Sequence, residues 1–139
     1  MLLAVVAVLA GGVALALLFA SQPSSNDSAE ASFARDMIVH HGQAVRMAEI
    51  VRDRTQSDAM RLIAADISLT QQGQIGIMQG WLQAWGLPIT GSEPAMAWMG
   101  HPTDGLMPGM ATPDEIDRLY TLPPRAGGRF VLEAHDRPS

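Results

Sequence analysis

The chain has 139 residues, a formal net charge of −5 and no cysteine, which excludes disulfide bridges and thiolate metal ligands. An acidic chain of this kind is a poor partner for nucleic acid, and we expect no such partner. The length suits one small domain plus a short N-terminal segment.

That N-terminal segment, residues 1–20, has no charged side chain and is long enough to cross a bilayer as a helix. A cleavable signal peptide would begin with basic residues, and none precedes the apolar run. The sequence therefore favours an uncleaved membrane anchor, with a signal segment as the alternative. Residues 21–28 are rich in serine and are predicted to be a flexible tether.

A first helix is predicted from about residue 29 to residue 53, because apolar side chains recur there at three- and four-residue steps. Asp27, followed three residues later by Glu30, is its predicted N-terminal cap. Only about four residues separate this helix from the next apolar run, so we expect the two helices to form an antiparallel hairpin.

The second helix is predicted to begin with Ser57 as its cap and to end at Gly86, shortly before Pro88. Glycines inside it cost about 1 kcal/mol each relative to alanine, and we interpret them as places where another backbone packs closely. These glycines are Gly73, Gly76 and Gly80, and the predicted apolar face is Met60, Ile63, Ile67, Ile75, Met78, Leu82 and Trp85.

Residues 87–110 are rich in glycine and proline and are predicted to be a loop. A third helix is predicted to start at Thr112, because Thr-Pro-Asp-Glu supplies a cap, a proline at the first helical position and acidic residues in the first turn. It should end near Leu122, since two prolines follow.

Met37, His40 and His41 lie within one turn of the first helix, with Met47 two turns beyond His40. Imidazole and thioether ligands suit copper, particularly Cu(I), better than magnesium or calcium. The alternative is that these side chains fill a core.

The loop contains a second group of predicted metal ligands. A polar loop offers methionine no core to fill, so packing explains this group only if the loop folds back as a lid. The residues are Met96, Met99, His101, Met107 and Met110.

Gln71, Gln74 and Met78 share a face of the second helix and can meet the histidines across the hairpin. A glutamine there is expected to support an imidazole through a hydrogen bond rather than to bind metal. The sequence has no Glu-x-x-His pattern, no nucleophile triad and no phosphate-binding glycine loop, so we do not expect an enzyme.

Two long motifs together resemble the bacterial "domain of unknown function 305" (DUF305) family over about residues 32–122. The resemblance implies a ferritin-like four-helix bundle, often exported, with some copper-binding members in the periplasm. It also implies a second His-His helix, and a glutamate where Gln74 stands here. The motifs are Phe33-x-x-x-Met37-Ile38-x-His40-His41-x-x-Ala44-x-x-Met47-Ala48 and Gln71-x-x-Gln74-Ile75-x-x-Met78-x-x-Trp81-Leu82-x-x-Trp85-Gly86.

The second His-His helix is absent from the sequence as far as Ser139. Residues 133–139 can be encoded by codons that read Arg-Leu-Met-Ile-Ala-His after a shift of one base. Our hypothesis is that a frameshift near residues 124–128 replaced the second half of the bundle, and the gene's codons test it.

The predicted organisation is all-α: a membrane-spanning segment (1–20), a tether (21–28), a truncated ferritin-like domain (29–122) and an irregular, out-of-frame tail (123–139). The predicted function is to bind a copper ion, for sequestration or delivery, at a bacterial membrane on the periplasmic or extracellular side. Protonation of the histidines below about pH 6.5 should release the ion.

Two alternatives to metal binding remain. One is a membrane-tethered interaction module whose exposed hairpin forms a homodimer and so rebuilds a four-helix bundle. The other is a decayed family member without a function.

Overall fold

The structure is a computed structural model that describes residues 9, 11–13, 25–121 and 123. These residues contain no β-strand, which confirms the all-α prediction. The helices are α1 (Ala29–Arg54), α2 (Asp58–Ala84), a short 3-10 helix (Ala97–Met99) and α3 (Pro113–Thr121).

The first two helices form the predicted antiparallel hairpin. One apolar cluster joins the start of α1 to the end of α2, and a second joins the end of α1 to the start of α2. Small alanines on α1 allow the two helices to pack closely. The first cluster consists of Ala31, Ala34, Met78 and Leu82, and the second of Ala48, Val51 and Ala64.

Hydroxyl groups cap the starts of both long helices. Ser28 has an extended backbone, and its Oγ accepts a hydrogen bond of 3.3 Å from the N–H of Ala31. The predicted cap at Asp27 was therefore wrong by one residue. Ser57 caps α2 as predicted, because its Oγ accepts the N–H of Met60 at 3.3 Å.

The end of α2 is set by Gly86, which has a φ of +70°. The N–H of Gly86 donates to the carbonyl of Gln83 at 3.0 Å, and the N–H of Leu87 donates to the carbonyl of Leu82 at 2.9 Å. These two bonds satisfy carbonyl groups that the helix itself leaves without a donor. The left-handed backbone favours glycine, which explains why the predicted stop is correct.

The third helix begins with a reciprocal cap. The hydroxyl of Thr112 accepts the N–H of Glu115 at 3.2 Å, and the carboxylate of Glu115 accepts the N–H of Thr112 at 2.9 Å. α3 is described as far as Thr121. It packs on α1 through the α1–α3 cluster, which consists of Met47, Ile50, Ala111, Ile116 and Leu119.

The predicted inner face of α2 was partly wrong. Ile63 is 53% exposed, whereas Ala64 and Ser68 are buried against α1. The predicted close packing at the glycines is also not observed. Within the described part of the chain, a β-carbon added at any of them would meet no atom within 4 Å; these residues are Gly73, Gly76 and Gly80.

No helix among the described residues is long and apolar enough to cross a bilayer. The predicted membrane-spanning helix falls on residues 1–20, of which the structure describes only 9 and 11–13. The predicted tail, 123–139, also lies outside the described residues apart from Pro123.

Candidate metal centre

The two adjacent histidines of α1 lie side by side. The ring centroids of His40 and His41 are 6.0 Å apart, and the ring planes are inclined at 64°. One ion held by two imidazole nitrogens, each about 2 Å away, keeps the ring centroids within about 6 Å of each other. The pair is therefore at the outer limit for sharing one ion.

His41 belongs to the stripe of α1 that faces α2. It lies seven residues after Ala34 and seven before Ala48, both of which pack against α2, and seven residues is close to two helical turns. The Nδ1 atom of His41 is buried and has no hydrogen-bond partner. Such atoms are rare, because leaving a buried polar group without a partner costs about 1–3 kcal/mol.

His40 belongs to the neighbouring stripe, which faces the loop. A β-carbon added at Gly109 would lie 3.7 Å from Nε2 of His40. Gly109 has a φ of +81°, a left-handed backbone that favours glycine, and the distance of 3.7 Å is an ordinary van der Waals contact. The loop segment that carries Met110 therefore passes directly beside this imidazole.

Two polar anchors hold the loop on α1, four residues before and three residues after the first histidine. The Oδ2 atom of Asp36 accepts the main-chain N–H of Met96 at 2.8 Å and the indole N–H of Trp98 at 2.9 Å. The side-chain amide of Gln43 donates to the carbonyl of Ala111 at 2.8 Å and accepts its N–H at 2.7 Å. Both ends of the Met/His segment are thus fixed against the helix that carries the histidines.

Asp36 and Gln43 were not predicted as part of the site. The sequence does contain one indication of their role: both are polar residues on the same stripe of α1 as His40, the stripe that faces the loop. Neither residue belongs to a recognisable short motif, because each bonds to a segment about 60 positions or more away in sequence.

Several predicted ligands pack in the interior. Met37 is half-buried against the first hairpin cluster, one turn before both histidines. Met47 lies in the α1–α3 cluster, and Met107 is 5% exposed. Met110 is half-buried. The loop does fold back over α1, so packing alone accounts for the position of Met107.

The other predicted loop ligands form one turn near the Asp36 anchor. The carbonyl of Met96 accepts the N–H groups of Met99 at 3.2 Å and of His101 at 3.4 Å. Met99 is 46% exposed and His101 is exposed, so these two side chains lie at the surface.

The predicted supporting residues on α2 differ in burial. Met78 is buried in the first hairpin cluster, Gln71 is half-buried and Gln74 is exposed. Because Nδ1 of His41 has no partner, the predicted hydrogen bond from a glutamine is not formed at that nitrogen.

Across the residues that the structure describes, no three His, Asp or Glu side chains come together as a metal site. A site at the histidine pair would therefore depend on thioether ligands, and Met37 and Met110 are the nearest candidates along the helix and the loop.

The sequence matches the family described as "Domain of unknown function (DUF305)" over residues 30–132. The chain belongs to the DUF305 family. The match confirms the resemblance seen in the motifs and covers the hairpin, the loop, α3 and part of the predicted tail.

Among solved structures, this DUF305 chain is similar to a DUF305 protein from Streptomyces coelicolor that is named as a secreted protein. The two sequences are 49% identical, and the structures superpose with a TM-score of 0.74. The match covers 79% of this chain and 65% of the other, so the present chain spans about two thirds of its relative. No curated protein matches the sequence.

Proposed function

We propose that this DUF305 chain binds a soft metal cation, with Cu(I) favoured, at the histidine pair of α1. The observation that supports this most is the buried Nδ1 of His41, which has no hydrogen-bond partner and lies beside a second imidazole. A neutral imidazole nitrogen is among the commonest metal ligands in proteins.

His40 and His41 would hold the ion, and Met37 and Met110 would complete its coordination, because Met37 lies one turn before the histidines and Met110 follows Gly109, which lies beside His40. Neutral imidazole and thioether form a soft ligand set that favours Cu(I) over hard cations. We propose no chemical reaction at the bound ion. The protein's part is to hold the ion and to exchange it with other ligands, as sequestration or delivery requires.

A competition titration tests the site. The full chain in detergent is titrated with Cu(I) against a chromophoric chelator, and the His40→Ala, His41→Ala double variant is compared with wild type. We expect the affinity to fall by at least about 100-fold, beyond the 10–100-fold typical of losing a supporting residue.

His101→Ala is the matched control, because it removes an exposed imidazole that the proposed site does not include and should leave the affinity unchanged. Far-UV circular dichroism checks that each variant keeps its helix content. Wild-type affinity in the folded double variant would refute the site.

We also propose that the domain lies outside the cytoplasm and is held at the membrane by residues 1–20, with residues 21–28 as the tether. The support is the secreted relative and the uncharged apolar N-terminal segment. After cell fractionation the chain should stay in the membrane pellet through an alkaline wash and be cleaved by protease added to spheroplasts. Release into the supernatant would contradict the anchor.

A further inference from the structure

α2 has a second apolar face on the side away from α1, which we call the outer face. No described residue covers it. At about 100° per residue, its large side chains fall within roughly one third of the helix circumference. Single exposed leucines are ordinary, but five large apolar side chains exposed on one side of one helix are typical of an interaction surface. The exposed fractions are 73% for Leu62, 53% for Ile63, 76% for Leu69, 54% for Ile77 and 45% for Trp81.

Glycines, which have no side chain, occupy the middle of the outer face. Gly73, Gly76 and Gly80 lie in the same sector, and an added β-carbon at each would meet nothing within 4 Å. Each glycine costs the helix about 1 kcal/mol relative to alanine, and no contact in the hairpin requires it. A bare strip flanked by large side chains allows a second helix to approach closely.

The outer face is also electrically neutral over most of its length. The charged residues of α2 are Asp58, Arg61 and Asp66, all in its first third, and none occurs from Ile67 to Ala84. Asp66 falls within the sector of the outer face, but the stretch from Ile67 to Ala84 of two copies can meet without like-charge repulsion, although the whole chain has a charge of −5. A face that complements itself in this way suits a twofold dimer.

The exposed area is sufficient for such a dimer. The five side chains leave on the order of 500 Å² of apolar surface uncovered. Two facing copies would bury about 1,000 Å² in total, which is the lower limit for a specific protein interface.

We propose that the outer face of α2 is a homodimer interface, in which the α2 helices of two copies pack antiparallel and cross at Gly73. That register places Leu69 of each copy opposite Ile77 of the other, so large side chains flank the glycine contact. Two hairpins paired in this way form a four-helix arrangement. The inference does not depend on metal binding, because the histidine pair lies on α1.

Single-cysteine variants test the register, because the chain has no cysteine of its own. In the full chain in detergent, Gly73→Cys should form disulfide-linked dimers under mild oxidation, since a bridge requires Cα atoms within about 7 Å. Leu106→Cys is the matched control, placed at a 40% exposed loop position, and should stay largely monomeric. Equal cross-linking of the two variants would overturn the proposal.

A second experiment measures mass in solution by light scattering. The Leu69→Glu, Ile77→Glu double variant should be monomeric, whereas Ile89→Glu, at a 51% exposed position outside the face, should remain dimeric like wild type. Both replaced side chains on α2 are more than half exposed, so the hairpin should keep its helix content by circular dichroism.

A monomeric wild type would overturn the proposal. The reactivity of the Gly73→Cys thiol towards a maleimide reagent would then show whether the outer face is covered by other residues of the same chain. A thiol shielded from a maleimide reagent would mean that other residues of the same chain cover the face. A freely reactive thiol would mean that the face is bare.

Discussion

Two consecutive charged residues of α1, Arg35 and Asp36, bond to uncharged groups rather than to each other. Arg35 is 8% exposed, and its guanidinium donates to the carbonyl of Pro88 at 3.1 Å and to two oxygens of Asn26 at 2.6 and 2.7 Å. Asp36 accepts two N–H groups from the 3-10 turn. Arg35 and Asp36 together hold the chain before α1 and the first part of the loop in place. The first part of the loop forms one side of the candidate site.

Replacing Asp36 tests how firmly this anchor holds the loop. Asp36→Ala should lower the free energy of unfolding by roughly 1–3 kcal/mol, because two partly buried donors lose their acceptor. Asp36→Asn keeps an acceptor oxygen and should cost less. Urea denaturation followed by far-UV circular dichroism measures both, and an alanine variant within about 0.5 kcal/mol of wild type would contradict a structural role.

At the scale of elements, the helix boundaries were predictable because their signals are local. Ser57, Gly86 and Thr112 each act through hydrogen bonds or backbone angles within a few residues, and the structure uses all three as predicted. The error at the start of α1 arose because two capping residues, Asp27 and Ser28, are adjacent. The choice between them depends on which backbone is extended, and the residue types do not determine that.

The inner face of α2 was harder to predict for a different reason. This helix is apolar on two sides, so the helical period identifies apolar stripes without showing which one meets α1. Ile63 lies at the border between them and was assigned to the inner side, whereas Ala64 is the residue buried there. Which of two stripes of similar hydropathy is buried depends on how α2 packs against α1, and the sequence of α2 alone does not show this.

The candidate site was predictable only in part. Spacing alone placed Met37, His40 and His41 on one turn of one helix, as the structure has them. The loop contacts could not be read from spacing, because the bonds of Asp36 and Gln43 join segments 60 to 68 positions apart. Such contacts depend on how the loop closes, for which short-range patterns give no information.

At the scale of the whole molecule, the described residues form three separate apolar clusters rather than one continuous core. Two of them lie within the hairpin, and only the α1–α3 cluster joins the third helix to it. The Gln43 anchor at Ala111 belongs to the same region. We therefore expect the end of the loop beside His40 to unfold together with α3 rather than together with the hairpin.

Truncating Leu119 tests this division. Leu119 is 2% exposed, so Leu119→Ala should cost about 2–5 kcal/mol, and the loss should fall on the α1–α3 contact. Amide hydrogen exchange is then expected to quicken in α3 and in residues 107–112, while the centre of the hairpin stays protected. Tyr120→Ala, at a 49% exposed position on the same helix, is the control and should leave exchange unchanged. An equal rise in the hairpin would mean that the three clusters unfold as one unit, and that the loop beside His40 is not independently mobile.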